Sequence, residues 1–264
     1  MRLHKSTLRR TAADLKRLVT GTITHVSVSE PVAALTFDDG PDAEHTPRLL
    51  SLLDRFGAAA TFFMIGEAAE KNPCVVEMVA SAGHAVGNHS WDHPSFPQIS
   101  LGEQWRQLRK CERALAPHGQ KLFRPPFGHQ TAQSRLLAWG MGYQVVTWSL
   151  VAADWLDNEA EWMADHVEKE MRPGSIVLFH DSLRPVLNPR YGDRGRTLKA
   201  VELVLSRLGD QFQFVTVPQL LARGRAQKKD WQVEGKPEFF AQLREPDGGQ
   251  WRYASATRMS GRLN

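Results

Sequence analysis

Cysteine is nearly absent from this 264-residue chain, with Cys74 and Cys111 the only two. Two cysteines at no metal-like spacing exclude a cysteine metal site and read as buried or inert thiols of a reducing compartment. Long apolar runs are lacking too. The longest nearly apolar stretch, Ala58 to Ile65, is far below the ~20 residues that span a bilayer, so no transmembrane helix is expected. The N-terminal MRLHKSTLRRTAADLKRLVTG is basic but holds neither an apolar h-region nor a small-residue cleavage site. It therefore does not read as a secretory signal, and a cytoplasmic protein is expected. GxSxG, HExxH, Walker A and GxGxxG motifs are also missing, which leaves serine-hydrolase, zincin and nucleotide-binding readings without support.

Charge of one sign is scarce in the body of the chain. Residues 1–26 carry six Lys/Arg against one Asp and residues 219–264 carry nine against five Asp/Glu, leaving 18 Lys/Arg against 23 Asp/Glu between them. The basic pI thus resides in the ends, whereas a nucleic-acid binder concentrates its basic stripe on the folded surface that grips phosphate. No nucleic-acid partner is expected. The basic ends could instead rest on an anionic membrane face, at roughly 1 kcal/mol per Lys/Arg near the surface.

What is present is a folding composition, 42% hydrophobic and 23% charged, and a regular alternation from residue 32 onward. The runs VAALTF (32–37), ATFFMI (60–65), HAVGNH (84–89), KLFRPP (121–126), YQVVTWSL (143–150), SIVLFH (175–180) and FQFVTV (212–217) read as strands. Helix-period segments fall between them at 46–56, 68–81, 101–116, 131–139, 159–171 and 197–208. Seven β/α repeats imply a parallel sheet with helices outside it, rolled into a barrel or left open and doubly wound. The expected organisation is a basic arm over 1–30, one catalytic domain over 31–226, and an extension over 227–264 where the periodicity fades.

The polar residues of interest cluster at the C-terminal ends of these strands, where active sites assemble in either architecture. Strand one ends in TFDDGPD, which sets Asp38 beside Asp39 before a turn. Adjacent carboxylates are costly to keep ionised unless a cation lies near. GNHSWDHP supplies its ligands: His89 and His93 are four apart, on one face if the segment is a helical turn. Two imidazoles with Asp39 make a three-ligand site for Zn²⁺ or a similar ion, with a position left open for water. Such an ion polarises a carbonyl and brings bound water to a pKa of about 7, which suits amide or ester hydrolysis. That reaction also needs a base and an acid. Asp38 is placed for the first and His180, ending SIVLFHD, for the second.

TFDDGP, HSWDHP, RPPFG, DW and LFHD occur in that order over residues 36–181. In this the chain resembles the NodB-homology polysaccharide deacetylases, carbohydrate esterase family 4, and the match continues loosely to about 221. The resemblance implies a distorted (β/α)7–8 barrel and metal-dependent removal of acetyl groups from N-acetylglucosamine-type glycans. The metal would be Zn, with Co, Ni or Mn as alternatives. It carries over Asp39, His89 and His93 as metal ligands, Asp38 as base, Arg124 as the residue holding the base, and the Phe127 amide as an oxyanion donor. Asp154 would orient His180, and Trp155 and Leu178 would wall an acetyl-methyl pocket. Trp91, between the histidines, is the aromatic expected to stack on a sugar. One departure stands out: Val151 opens VAADW where the family often has an acid, which puts the polar support around Arg124 in question. Two other readings share the motifs: deformylation or deacetylation of a lipid-linked aminosugar, and an inactive carbohydrate-binding module on the same fold. The complete ligand and acid/base set favours an enzyme.

Overall fold

The computed structural model describes residues 20–184 and 191–235. The remainder of the basic arm and of the C-terminal extension, and with it most of the charge expected to meet a membrane, lies outside the described residues. No helix among the described residues is long and apolar enough to cross a membrane.

Parallel strands β2 (Val32–Asp38), β3 (Ala60–Met64), β4 (Ala85–Asn88), β5 (Gly119–Phe123), β6 (Gln144–Val145), β7 (Leu150–Val151) and β8 (Ile176–His180) form one curled sheet. Its order is β6-β5-β4-β3-β2-β8-β7, and β9 (Gln213–Phe214) pairs with β2 off that path. The fold is the distorted, incompletely closed barrel implied by the resemblance. Strands β2 and β3 are buried along their whole length, as parallel strands covered on both faces must be. The helices packed around the sheet are α1 (His45–Arg55), α2 (Gly66–Lys71), α3 (Pro73–Ser81), α4 (Leu101–Ala114), α5 (Ala132–Gly140), α6 (Ala160–Glu170), α7 (Gly195–Leu208) and α8 (Val217–Arg223).

The expected segments differ from the observed ones in four places. The 68–81 helix is two, because Pro73 cannot continue a helix and disfavours the α conformation at Asn72. The 143–150 strand is also two: β6 and β7 are the opposite edges of the sheet, and residues 146–149 cross the seam between them. Helix α8, capped reciprocally by Thr216 and Gln219, occupies a stretch outside the expected helices. Finally, boundaries at 30 and 226 cut through an antiparallel pair formed by β1 (Thr22–Ser27) and β10 (Arg225–Lys229). Strand β1 docks at the seam, where Ile23 pairs with Val146 and accepts the Thr147 amide at 2.8 Å.

Strand alternation divides the interior. Leu35, Phe37, Val177 and Phe179 face the helices in the larger core. Ala34, Phe63, Leu122, Val146 and Ile176 fill the barrel itself against Ile23 and Val26 of β1. Above this apolar floor the same inward positions of β2 and β8 become Thr36, Asp38, Leu178 and His180, so the barrel turns polar toward its C-terminal mouth. Cys111 is buried and its thiol is pushed up to about 12 by burial, whereas Cys74 is exposed.

Candidate active site

Five non-glycine residues take left-handed backbone angles among the described residues: Asp39, Ser90, His93, Phe127 and Ala153. Two are expected metal ligands, one carries the expected oxyanion amide, and the others adjoin His89 and Asp154. Each such conformation costs on the order of 1 kcal/mol or more, and the structure concentrates them at the barrel mouth.

At Asp39 (φ 74°) the left-handed turn resolves the geometry of the carboxylate pair. Neighbours in a strand point to opposite faces, but leaving β2 this way brings Asp39 round to the pocket that Asp38 faces. The histidines also converge through left-handed residues. Residues 89–93 are not a helical turn. Ser90 and His93 turn the loop instead, and the rings meet with centroids 5.0 Å apart. Asn88 accepts the Ser90 amide and donates to the Leu108 carbonyl and Tyr143 hydroxyl, while Gln107 accepts the Trp91 and Asp92 amides.

Asp39, His89 and His93 form the one group of three metal-ligating side chains found among the described residues, with ligand atoms within 4.8 Å of one another. Asp39 Oδ1 lies 3.4 Å from His89 Nε2 and 3.3 Å from His93 Nε2. These separations match the edge of a tetrahedron with metal bonds of about 2.05 Å, which is about 3.3 Å. Asp39 Oδ1 is buried without a hydrogen-bond partner among the described residues, while Oδ2 accepts the Arg184 amide at 2.8 Å. His89 Nδ1 is 2.7 Å from the Arg124 carbonyl. A carbonyl only accepts, so Nδ1 carries the proton and Nε2 presents a lone pair inward. Burial would raise the Asp39 carboxyl, but His93, then His89 and His180, outweigh it and hold it well below the carboxylate range. Burial brings the His93 imidazole down to about 3. The donor set is therefore an ionised carboxylate and a neutral imidazole at His93, together with the His89 lone pair, and it fits a divalent ion.

Asp38 Oδ1 accepts from Arg124 Nη1 at 2.7 Å, and Oδ2 lies 3.7 Å from His89 Nε2. Arg124 is wholly buried. Nη1 also donates to Thr36 Oγ1, Nη2 to the Thr147 carbonyl at 2.8 Å and Nε to the Val146 carbonyl, and the guanidinium lies 4.0 Å over the Phe63 ring. Thr36 passes its own proton to the Val177 carbonyl at 2.6 Å. The support placed in question by Val151 thus comes from Thr36 and from the carbonyls crossing the seam.

On the other flank, His180 Nδ1 meets Asp154 Oδ1 at 2.9 Å, and its backbone amide donates to Oδ2 at 2.9 Å. Burial disfavours the charged ring, but Asp154, then Asp39 and Asp38, prevail and raise its pKa above the usual imidazole value. Trp155 stands edge-on to His180 at 5.2 Å, and Leu178 lies two residues before it on the same inward face. The Phe127 ring packs edge-on against His93 at 4.4 Å.

Trp91 is a correction. Its ring lies against the backbone of Gly66, and the Lys110 ammonium sits 3.5 Å over its centroid, so it packs between α2 and α4 instead of offering an open sugar platform. Sequence reasoning also passed over Arg194, which ion-pairs with Asp154 at 2.5 Å, as well as Thr36 and Thr147. An arginine outside every motif and threonines inside strands carry no signal of their own.

The polysaccharide deacetylase family model matches residues 25–146. A peptidoglycan-N-acetylglucosamine deacetylase of Bacillus cereus is 36% identical over 208 residues, spanning 76% of this chain and 94% of its own. A chitooligosaccharide deacetylase of Azorhizobium caulinodans is 32% identical over 216 residues, spanning 79% and 97%. The crystal structure of the Bc1960 peptidoglycan N-acetylglucosamine deacetylase matches with a TM-score of 0.70 at 30% identity, over 77% of this chain and 94% of that one. The motif order, the curled barrel and these likenesses agree: the chain belongs to the polysaccharide deacetylase family and is a deacetylase of the hydrolase class.

Proposed function

We propose that this deacetylase removes N-acetyl groups from N-acetylglucosamine-type glycans and depends on a divalent metal, zinc being the best fit to the donor set. The observation that carries the reading is the orphaned Asp39 Oδ1, facing two imidazole nitrogens at tetrahedral spacing between Asp38 and the Asp154–His180 pair. The glycan assignment is supported by relatives named for peptidoglycan and chitooligosaccharide.

Asp39, His89 and His93 would hold the ion, which when bound supplies Lewis-acid polarisation of the acetyl carbonyl and water acidic enough to ionise near neutral pH. Arg124 occupies Asp38 Oδ1, so Oδ2 is the oxygen left to take a proton from the attacking water. The Phe127 backbone N–H, in a left-handed turn beside His93, would donate to the oxyanion, a role indifferent to the side chain. His180 gives Nδ1 to Asp154, which assigns Nε2–H to protonate the departing amine. Leu178 and the Trp155 edge form apolar walls beside this proton donor for the acetyl methyl.

Release of acetate from chitooligosaccharides and peptidoglycan fragments tests the assignment, with formate release and lipid-linked aminosugars as parallel arms. Asp38→Ala is expected to lower turnover by about 10² or more while bound metal persists. Acetate release from none of the glycans, or full turnover by Asp38→Ala, would overturn it.

A further inference from the structure

We infer that Arg194 is a positioning residue for the proton-donating pair, an inference that rests on the reading of His180 as the acid. Arg194 immediately precedes α7 and is 2% exposed. Its Nη2 donates to Asp154 Oδ2 at 2.5 Å, to the Asp154 carbonyl at 3.0 Å and to Thr197 Oγ1 at 2.6 Å, while Nε reaches the His180 carbonyl at 3.3 Å. The Thr197 hydroxyl donates to the same Oδ2 at 3.3 Å, and so does the His180 amide at 2.9 Å.

Three donors therefore converge on Asp154 Oδ2, and Oδ1 alone is left for the imidazole. A wholly buried carboxylate next to the left-handed Ala153 is held in one rotation, and through it the His180 ring is held in one tautomer and one plane. Arg194 is itself anchored across the mouth. Its amide donates to His45 Nε2 at 3.3 Å, and His45 Nδ1 bonds Asp42 at 2.8 Å in the turn that carries Asp38 and Asp39. The base and acid sides are thereby tied to each other through the His45 ring and Arg194.

The charges facing the pair give the role a distinct signature. Asp154 faces His180 directly, Asp39 and Asp38 face it from the end of β2, and the Asp181 carboxylate turns away to Thr46. Arg194 is the cation paired with Asp154, as Arg124 is the cation paired with Asp38. Its removal loosens the dyad yet leaves the imidazolium more strongly favoured, so turnover and the alkaline limb of the rate profile move in opposite directions.

The test compares Arg194→Met and Arg194→Lys in the full chain by acetate release and by the downfield Nδ1 proton resonance of His180, assigned through its loss in His180→Gln. Arg194→Met is expected to lower kcat by about tenfold to a hundredfold with KM within about twofold. Its alkaline limb should rise by about half a pH unit or more. Arg194→Lys keeps the charge without the fork, so it should leave the limb in place and restore kcat only in part. The Nδ1 proton signal should be sharp in the wild type and broadened or lost in Arg194→Met. If that variant does not fold, Arg194→Lys and Thr197→Val carry the same comparison. Wild-type kcat, limb and proton signal in Arg194→Met, with only the melting temperature changed, would overturn the inference. A wild-type protein that releases no acetate, yet shows an Arg194-dependent Nδ1 signal, would overturn the proposed function and leave the positioning role standing.

Discussion

Replacing Arg124 by methionine should separate burial from charge at the base. The guanidinium has no exposed surface and its partner Asp38 has 3% of its side chain exposed. Substitution removes the pairing at 2.7 Å and takes away the donor to Thr36 Oγ1 and to the Thr147 carbonyl, while methionine retains most of the volume. Removing one partner of a buried pair leaves an uncompensated charge, which costs about 3–5 kcal/mol. For a domain of this size that corresponds to a fall in melting temperature of about 6–20 °C. Denaturant unfolding in chelator, where no cation can shield Asp38, measures it. The double variant Arg124→Met, Asp38→Asn removes the stranded charge as well and should recover at least about 1.5 kcal/mol relative to additivity. An Arg124→Met variant within about 1 kcal/mol of wild type, or strict additivity in the double variant, would refute the view that this pair is held together by its burial.

Further expectations follow from individual placements. His180 has a raised pKa, so its protonated acid form is full below the ordinary imidazole range and is lost as pH rises through the raised value; Asp154→Asn should move the alkaline limb of kcat to lower pH. An unmoved limb would show that Asp154 does not tune the acid. Trp91→Ala should leave KM for chitooligosaccharides within about twofold, since the ring packs on Gly66 and Lys110; a rise beyond tenfold would reinstate it as a sugar platform. A Cβ on Gly40 would lie 2.3 Å from an Asp181 carboxylate oxygen, so Gly40→Ala should displace the turn after Asp39 and lower bound metal as measured by elemental analysis. Unchanged metal content would show that the turn yields without moving the ligand.

Much of this site is legible in the sequence because its reactive groups sit at strand ends, and strand ends are marked by period-two apolar runs that stop at Asp, His or Arg. Asp38, Asp39, His89 and His180 follow from that pattern alone. The route by which they converge does not. The histidine spacing suggests a helical turn, whereas left-handed Ser90 and His93 do the bending, a conformation that neither residue type advertises. Strand β1 is hidden for a different reason: TITHVS is short and half polar, and its partner lies some 200 residues away, so only the closed seam shows what it buries. Arg194 is invisible for the same reason of distance, standing 40 residues after the carboxylate it holds. Trp91 shows the converse risk, in which proximity in sequence to two ligands does not place a side chain in the pocket.

The central claim, that Asp39, His89 and His93 hold a metal on which deacetylation depends, is tested most directly by paired titration of one preparation. Metal is removed with chelator, then Zn²⁺ is returned in steps while bound metal and acetate release from a chitooligosaccharide are both measured. The account predicts that activity vanishes in the metal-free protein and returns in proportion to occupancy, with saturation at one ion per chain. It also predicts that His89→Ala lowers both together. Acetate release that persists at zero occupancy, or metal binding unaffected by His89→Ala, would contradict it.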